Sequence, residues 1–203
     1  MKVTAIKQQT KRADRYSIFV DDKYSFSLSE SALLQSKLAS GQELTKEQVA
    51  EYKELSADDK LYNRTLRYVA VRPRTRWEVA TYLERKHASP PLVETILNKL
   101  SNINLIDDEK FAEAFVTDRR QLRPTSRRKM IAELRKKHVA GDVIQKVLGQ
   151  ESGEEQTALL TVIERKRRQA KYQDDLKLMQ YLARQGFGYD DIKSALQASR
   201  EQE

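Results

Sequence analysis

The sequence predicts a mainly α-helical protein: tandem three-helix repeats in an elongated, curved array, preceded by a small N-terminal antiparallel β-hairpin or sheet module. Three observations lead to this prediction. A helical unit recurs at a nearly fixed spacing, 33% of the residues are charged with only six Gly and four Pro, and the first 28 residues contain runs of alternating apolar and polar side chains. Fixed periods of this size are typical of repeat architectures.

The recurring unit is clearest at residues 123–148. It matches residues 72–97, which lie 51 positions earlier, and the region from Tyr172 to Leu196, which lies 48 positions later. The apolar residues fall in matching columns, and their spacing places them on one face of each of two helices. The columns are Val79, Met130 and Leu178; Ala80, Ile131 and Met179; Leu83, Leu134 and Leu182; Val93, Ile144 and Ile192; Ile96, Val147 and Ala195; and Leu97, Leu148 and Leu196.

The ends of the repeated helix also match. At its start the three copies carry Thr75, Ser126 and Asp174, all side chains that cap helix N-termini. Glu78 follows Thr75 by three positions and completes a capping box. At its end they carry His87, His138 and Gly186, where we expect a residue in the left-handed conformation.

The N-terminal module should contain two or three antiparallel strands, with residues 8–14 as a polar loop. Tyr16, Ile18 and Val20 alternate with polar or outward positions, and residues 23–28 continue the alternation after a tight turn at Asp21-Asp22. Ser29 then caps a helix that ends near Gly41, and Thr45 with Gln48 forms a capping box for the next helix. A joint is predicted at Ser56-Ala57.

These signals divide the chain into a strand-plus-helix module at residues 1–56 and three-helix repeats at 57–105, 106–150 and 151–203, the last with a frayed tail. Repeat one starts with a helix from Asp58 or Asp59 that Pro73 ends, and Asp107 caps the first helix of repeat two. A linker is predicted at residues 150–154. The remaining helices are expected at about 76–86, 91–101, 127–137, 141–149 and 154–171, with Gly186-Phe187-Gly188 separating the last two.

Several classes of chemistry are missing. The chain has no Cys, which excludes disulfides and thiol catalysis, and its six glycines form no phosphate-binding motif. The two histidines lie at predicted helix ends, and the acidic groups Asp107-Asp108-Glu109 and Asp190-Asp191 lie at helix starts, which favours capping over catalysis or metal binding. We therefore expect no enzyme activity, no cofactor and no metal site. The absence of a signal peptide or membrane span predicts a cytoplasmic protein.

The charge distribution indicates the kind of partner. The net charge of +8 and pI of about 9.5 favour a polyanion or an acidic protein surface. Two groups of cations lie in the second and third repeats, and together they are predicted to form a partner-binding basic ridge. Its members are Arg119, Arg120, Arg123, Arg127, Arg128, Lys129, Arg135, Lys136 and Lys137, then Arg165, Lys166, Arg167, Arg168 and Lys171.

Other interpretations remain for some of these residues. Either group of cations, taken alone, is explained equally well as a solvent-exposed helix face or as a binding surface. Lys129 can also pair with Glu133, four positions later. Trp77 lies at the edge of a buried face. It is expected to pack on the first helix of its own repeat or, alternatively, to serve as an exposed anchor for a partner.

Three stretches together resemble the RecX family of bacterial recombinase regulators. They are Arg72-Pro-Arg-Thr-Arg with Glu78 and Leu83, Leu105-Ile-Asp-Asp-Glu-Lys-Phe-Ala112 with Ala114-Phe115, and Arg123-Pro124 through Leu134-Arg-Lys-Lys137. The likeness covers about residues 58–198, and repeat three departs from it by lacking the Arg-Pro element.

The resemblance implies tandem three-helix repeats and a non-enzymatic regulator that binds RecA filaments, which consist of protein and single-stranded DNA. Such a regulator modulates recombinase, ATPase and coprotease activity in DNA repair and the SOS response, most often by inhibition. A monomer is expected. The alternative is a protein that binds single- or double-stranded DNA directly and acts by competing for it, and a third hypothesis is a structural adaptor for an unrelated acidic partner.

Overall fold

The computed structural model describes residues 1–149 and 152–200. The described chain is mainly helical, with a three-stranded antiparallel sheet at its N-terminus, as predicted. It divides into two compact units. One contains Met1–Arg72 with Val79–Leu105, and the other contains Pro73–Glu78 with the described residues from Ile106 onwards.

The first unit begins with the sheet, whose strand order is β1 (Val3–Gln9), β2 (Arg12–Val20) and β3 (Lys23–Ser29). Asp21 and Asp22 have φ values of 48° and 63°, so they form the predicted two-residue turn in the conformation that twisted hairpins favour. One face of the sheet is buried through Ile18, Phe26 and Leu28. This face packs on two helices, α1 (Glu30–Ser36) and α2 (Lys46–Ala70).

The predicted polar loop at residues 8–14 is wrong. The strands continue until only Thr10 and Lys11 remain as the turn, and Gln9 pairs with Arg12. Backbone pairing in a hairpin needs no apolar side chains where both faces of the ribbon are exposed, so the polar composition concealed the strands. Helix α1 also ends earlier than predicted, because Lys37 adopts the left-handed conformation at φ 53°.

The predicted joint at Ser56-Ala57 is wrong as a break in the helix. Helix α2 runs through it for 25 residues, from the capping box of Thr45 and Gln48 to Ala70. Ser56 is buried, and its hydroxyl donates to the backbone oxygen of Ser27 over 2.7 Å. The polar residues in the middle of α2 therefore contact the sheet instead of interrupting the helix.

The first unit also contains the end of the first repeat. Helices α3 (Arg76–Glu84) and α4 (Pro90–Asn102) follow α2, and Tyr68 of α2 stacks on Tyr82 of α3 with ring centroids 4.1 Å apart. Most members of the predicted columns are buried here: Val79, Leu83, Val93, Ile96 and Leu97 are each at most 7% exposed, whereas Ala80 is half-buried.

The second unit contains two further three-helix groups, each with its own apolar core. The first consists of α5 (Asp108–Gln121), α6 (Arg127–Lys136) and α7 (Gly141–Leu148), packed around Phe111, Leu134 and Ile144. The second consists of α8 (Ser152–Arg167), α9 (Asp175–Arg184) and α10 (Tyr189–Arg200), packed around Leu159, Leu178 and Ile192. A short 3₁₀ helix, Ala170–Tyr172, precedes α9.

Two predicted features near the ends of the third repeat need correction. Helix α8 starts at Ser152, so Glu154 lies in a helix and not in a linker, while Gln150 and Glu151 lie outside the described residues. Helix α10 continues to Arg200, and the rest of the predicted frayed tail, residues 201–203, also lies outside the described residues.

The predicted helix caps are confirmed. The hydroxyl of Ser126 accepts from Lys129 N over 3.1 Å, Asp174 caps α9, and Thr75 with Glu78 forms the capping box of α3. At the other ends, His87, His138 and Gly186 have φ values of 60°, 57° and 91°. The two histidines therefore end helices in the left-handed conformation, as the repeat alignment predicted.

Candidate functional site

The structure sorts the fourteen cations of the predicted basic ridge by the chemistry of their partners. A carboxylate partner neutralises a cation locally, whereas a backbone carbonyl, an amide or an aromatic ring leaves its net charge in place. The sorting therefore shows which cations still present positive charge to a binding partner.

Five of the fourteen pair with carboxylates. Arg119 contacts both Glu133 and Asp118 at 3.1 Å, and Lys137 Nζ lies 2.6 Å from Glu78 Oε1. The contacts with Glu133 and Glu78 join different helices, so these charges have structural partners. The other three pairs are Arg120 with Glu154, Arg167 with Asp175, and Arg168 with Glu164.

The side chains of five more cations contact only neutral groups among the described residues. Arg127 donates to the carbonyl of Leu148 over 3.0 Å, and Lys129 Nζ donates to Gln185 Oε1 over 2.6 Å. The predicted pairing of Lys129 with Glu133 is wrong, because Glu133 binds Arg119. The remaining three are Arg165, which donates to the carbonyl of Leu122, and Lys166 and Lys171, whose ammonium groups lie over tyrosine rings.

The last four cations, within the ranges that the structure describes, have no side-chain partner and are exposed: Arg123, Arg128, Arg135 and Lys136. Three of them share one side of α6. Met130 and Leu134 on the opposite side are buried, so the helical period directs Arg128, Ala132, Arg135 and Lys136 outward. We call these four residues the α6 outer face.

A shallow groove of about 570 Å³ runs along this helix beside the α6 outer face. Three arginines line it, at positions 127, 128 and 135, together with Ile131 and Ala132. Glu155 is the one carboxylate of the groove lining, and burial raises its pKa above the ordinary value. Its oxygen accepts from the backbone N–H of Arg127 over 2.7 Å, which holds it at the start of α6.

A second concavity lies between the second and third three-helix groups, and we call it the junction cleft. Its volume is about 380 Å³. It is lined by five cations, one carboxylate (Glu133) and the apolar surfaces of Leu122, Pro124, Val162 and Tyr181. The five cations are Arg119, Arg123 and Lys129 from the second group and Arg165 and Lys166 from the third.

The third group is held on the second by polar contacts at the ends of helices. Ser126 Oγ donates to the backbone oxygen of Gln185 over 2.6 Å while it caps α6. Gly186 lies so close that an added Cβ would be 2.7 Å from Ser126 Oγ. A side chain at this position would therefore disturb both the cap and the junction.

An equivalent set of contacts holds the start of α3 on the second three-helix group. The N–H of Arg76 donates to Asp108 over 2.7 Å, just as that of Arg127 donates to Glu155. Burial raises the pKa of Asp108, as it does for Glu155. The alignment of the repeats thus places a partly buried carboxylate at the N-terminus of the second helix twice.

Trp77 is 40% exposed, and its ring stacks on His138 of the second three-helix group with centroids 4.2 Å apart. The exposure agrees with the alternative expectation of an exposed aromatic side chain, while the role of a partner anchor stays a prediction. Sequence reasoning missed this stack and the pair of Glu78 and Lys137. The signal available was the repeat alignment, which places Lys137 and Gln185 at the same position.

Among the acidic residues predicted to cap helices, Asp107 is confirmed as the N-cap of α5. Asp107 accepts from the N–H groups of Glu109 and Lys110, both over 3.0 Å, and the bond from Lys110 lowers the pKa of Asp107.

The described part of the chain contains no group of three His, Asp or Glu side chains suited to a metal ion. Nor does any helix there have the length and apolar character needed to cross a membrane.

Comparison with protein-family models gives four consecutive matches. The RecX N-terminal domain matches residues 1–45, and the first, second and third RecX three-helix domains match residues 62–100, 107–148 and 154–196. The three-helix groups described above therefore correspond to known domains of one family.

Individual relatives agree with this result. The regulatory protein RecX of Lactobacillus johnsonii is 34% identical over 75% of this chain and 56% of its own length. That of Bacillus subtilis is 30% identical over 96% of this chain and 75% of its own length. A crystal structure of regulatory protein RecX superposes with a TM-score of 0.77 at 27% identity, covering 97% of this chain and 98% of its own. All three of these relatives are named as regulatory proteins.

Proposed function

Because the chain belongs to the RecX family of regulatory proteins, we propose that it binds RecA nucleoprotein filaments and inhibits their recombinase, ATPase and coprotease activities. This chain spans 56% of the Lactobacillus johnsonii relative and 75% of the Bacillus subtilis relative.

The observation that carries the proposal is the α6 outer face. Arg128, Arg135 and Lys136 project from one helix, and none of them is neutralised by a carboxylate in the described chain. A filament of protein and single-stranded DNA presents phosphates and acidic side chains, and both attract guanidinium and ammonium groups. The adjacent groove leaves room for partner atoms beside the arginines.

The test is the ATPase rate of RecA on single-stranded DNA as the chain is titrated in. The wild-type chain should lower the rate. The variant R128E/R135E/K136E should need a concentration at least roughly tenfold higher for the same inhibition, because three attractive charges become repulsive. A matched control is K11E/R12E/K23E. It reverses the same number of exposed charges in the N-terminal hairpin and should inhibit like wild type.

A binding assay separates filament recognition from effects on catalysis. RecA is captured by the immobilised chain with and without single-stranded DNA and a nucleotide analogue. Preferential capture of the assembled filament is expected. Equal, negligible capture under both conditions would reject the proposal, and full activity of R128E/R135E/K136E would remove the α6 outer face from it.

Direct nucleic-acid binding, with inhibition by competition for DNA, is the second candidate function. The observation that favours it is the number of uncompensated cations, since nine of the fourteen ridge residues lack a carboxylate partner in the described chain. If about six phosphates of duplex DNA are neutralised, log K should fall with log salt at a slope near −5. A shallow slope, measured without RecA, would argue against this candidate.

A further inference from the structure

We propose that the junction cleft binds the phosphodiester backbone of a single-stranded nucleic acid, and that this binding clamps the third three-helix domain onto the second. The inference rests on the proposed function only in taking nucleic acid as a partner. It concerns a different surface from the α6 outer face and needs no RecA.

The cleft combines cations from both domains. Arg123 and Lys129 belong to the second domain, and Arg165 and Lys166 to the third. Among the described residues, none of these four pairs with a carboxylate. Glu133, the carboxylate of the cleft lining, is bound by Arg119, whose second partner is Asp118. The cleft therefore keeps about four uncompensated positive charges.

This arrangement opposes contact between the domains when the cleft is empty. Cations on one wall repel those on the other wall, and polar contacts between the domains work against this repulsion. At the cleft they are Ser126 with the Gln185 backbone oxygen and Lys129 with the Gln185 amide oxygen, both at 2.6 Å, and Arg165 with the Leu122 carbonyl at 3.3 Å. An anion between the walls removes the repulsion and accepts hydrogen bonds from both domains, so it favours the closed junction.

The lining indicates a single-stranded nucleic acid. A volume of about 380 Å³ suits nucleotide-sized groups, not a duplex. Leu122, which is 66% exposed, and Pro124 lie beside the cations and offer apolar surface to a base, while arginine forks suit phosphate oxygens. A single strand alternates phosphates with bases whose faces are flat and apolar, which matches a groove of cations and apolar side chains.

The first test measures binding of a short oligodeoxythymidylate at several salt concentrations. Neutralisation of four phosphates predicts a slope of about −2.8 for log K against log salt, and R123Q/R165Q should reduce it to about −1.4. The control K11Q/K23Q removes the same charge outside the cleft and should keep the wild-type slope. Arg123 has no described side-chain partner and Arg165 contacts one exposed carbonyl, so R123Q/R165Q should fold, which circular dichroism checks.

The second test measures the clamp. The chain has no native Cys, so spin labels can be placed at Glu113→Cys on α5 and Lys193→Cys on α10, both exposed positions. The distribution of label distances should narrow when the oligodeoxythymidylate is added, and R123Q/R165Q should abolish the narrowing. If inorganic phosphate alone, or an acidic peptide of equal charge, also narrowed the distribution of label distances, the assignment of the cleft to nucleic acid would be overturned.

The remaining outcomes also decide the proposal. Oligonucleotide binding with an unchanged distance distribution overturns the clamp, and an unchanged salt slope in R123Q/R165Q overturns the site. RecA is absent from both experiments. Loss of RecA inhibition in R128E/R135E/K136E, with oligonucleotide clamping intact, would support both proposals separately.

Discussion

The rings of Trp77 and His138 stack nearly parallel, with centroids 4.2 Å apart and an angle of 17° between their planes. The same two positions of the repeat, one unit later, carry Arg128 and Gly186, where no ring can stack. Repetition has thus preserved the position of the contact while its chemistry changed. The aromatic version also supplies a spectroscopic probe, because Trp77 is the only tryptophan.

Replacement of His138 by Ala should destabilise the chain and expose Trp77. The backbone at this position has φ 57°, so the variant keeps an unfavourable left-handed conformation and also loses the ring contact. The control His87→Ala has the same backbone problem at φ 60°, without a described ring partner. His138→Ala should therefore lose about 0.5–1.5 kcal/mol more unfolding free energy than His87→Ala. Urea denaturation followed by circular dichroism measures the difference.

Tryptophan fluorescence gives an independent check of this contact. The emission of Trp77 should shift to longer wavelength in His138→Ala, because water reaches the ring face that His138 covers, and it should not shift in His87→Ala. Equal emission spectra for the two variants would show that the stack does not persist in solution.

Substitution of Gly186 by Ala should weaken the junction between the second and third domains. The residue has φ 91°, which side chains rarely adopt, and its new Cβ would lie 2.7 Å from Ser126 Oγ. We expect a loss of about 1–3 kcal/mol in unfolding free energy, from backbone strain and displacement of the hydroxyl. The measurement is again urea denaturation followed by circular dichroism.

Gly141→Ala is the matched control for this prediction. Gly141 is the first residue of α7, and an added Cβ meets no atom within 4 Å. Alanine favours helices by up to about 1 kcal/mol relative to glycine, so this variant should be neutral or more stable. A stable Gly186→Ala variant would mean that Ser126 moves aside and does not hold the junction.

The sequence predicted the repeated helices well because each buried column recurs three times. It failed at α2, where no second copy was available for comparison. Ser56, Asp58 and Asp59 favour a boundary between two helices at the level of sequence, since polar residues commonly cap helix ends. In the structure Ser56 and Asp59 are buried against β3, and only the fold of the sheet supplies their partners.

The candidate site shows a similar limit. Sequence position identified the cations of the basic ridge. It could not show which of them are neutralised, because several of the partners come from other helices. Arg120 binds Glu154, and Lys129 binds Gln185 at 56 positions' separation. Such pairings depend on how domains pack, which a single sequence does not encode locally.

Arg15 and Asp59 form a buried ion pair that should be important for the N-terminal module. Their charged atoms lie 2.9 Å apart, with side chains only 5% and 7% exposed, and Arg15 also donates to Ser27. Arg15→Met leaves the Asp59 carboxylate buried without its counter-charge. The expected loss is about 3–5 kcal/mol of unfolding free energy, which urea denaturation can measure.

An exposed ion pair provides the comparison. Arg168, which directly follows α8, lies 2.8 Å from Glu164 of α8, and the two side chains are 74% and 70% exposed. Arg168→Met should change the unfolding free energy by no more than about 0.5 kcal/mol, because water already solvates both charges. Similar losses in the two variants would mean that burial of Arg15 and Asp59 does not set the strength of their interaction.

Glu155 should make the stability of the second unit depend on pH. Burial raises the pKa of Glu155 above its ordinary value of 4.5, and the charge of Asp191 adds to this effect. At pH values between 4.5 and the raised folded-state pKa of Glu155, the folded state therefore binds more protons than the unfolded state. The stabilising contribution of this group is complete below pH 4.5 and is lost as pH rises through the folded-state pKa.

Glu155→Gln removes this dependence while its amide oxygen can still accept from Arg127 N. The variant should therefore gain stability relative to wild type as pH rises from below 4.5 to neutrality, in urea denaturation at a series of pH values. Glu47→Gln should show the opposite trend, because hydrogen bonds from its own backbone N–H and from Thr45 lower the pKa of Glu47. Parallel pH profiles for the two variants would contradict a partly buried, destabilised carboxylate at the start of α6.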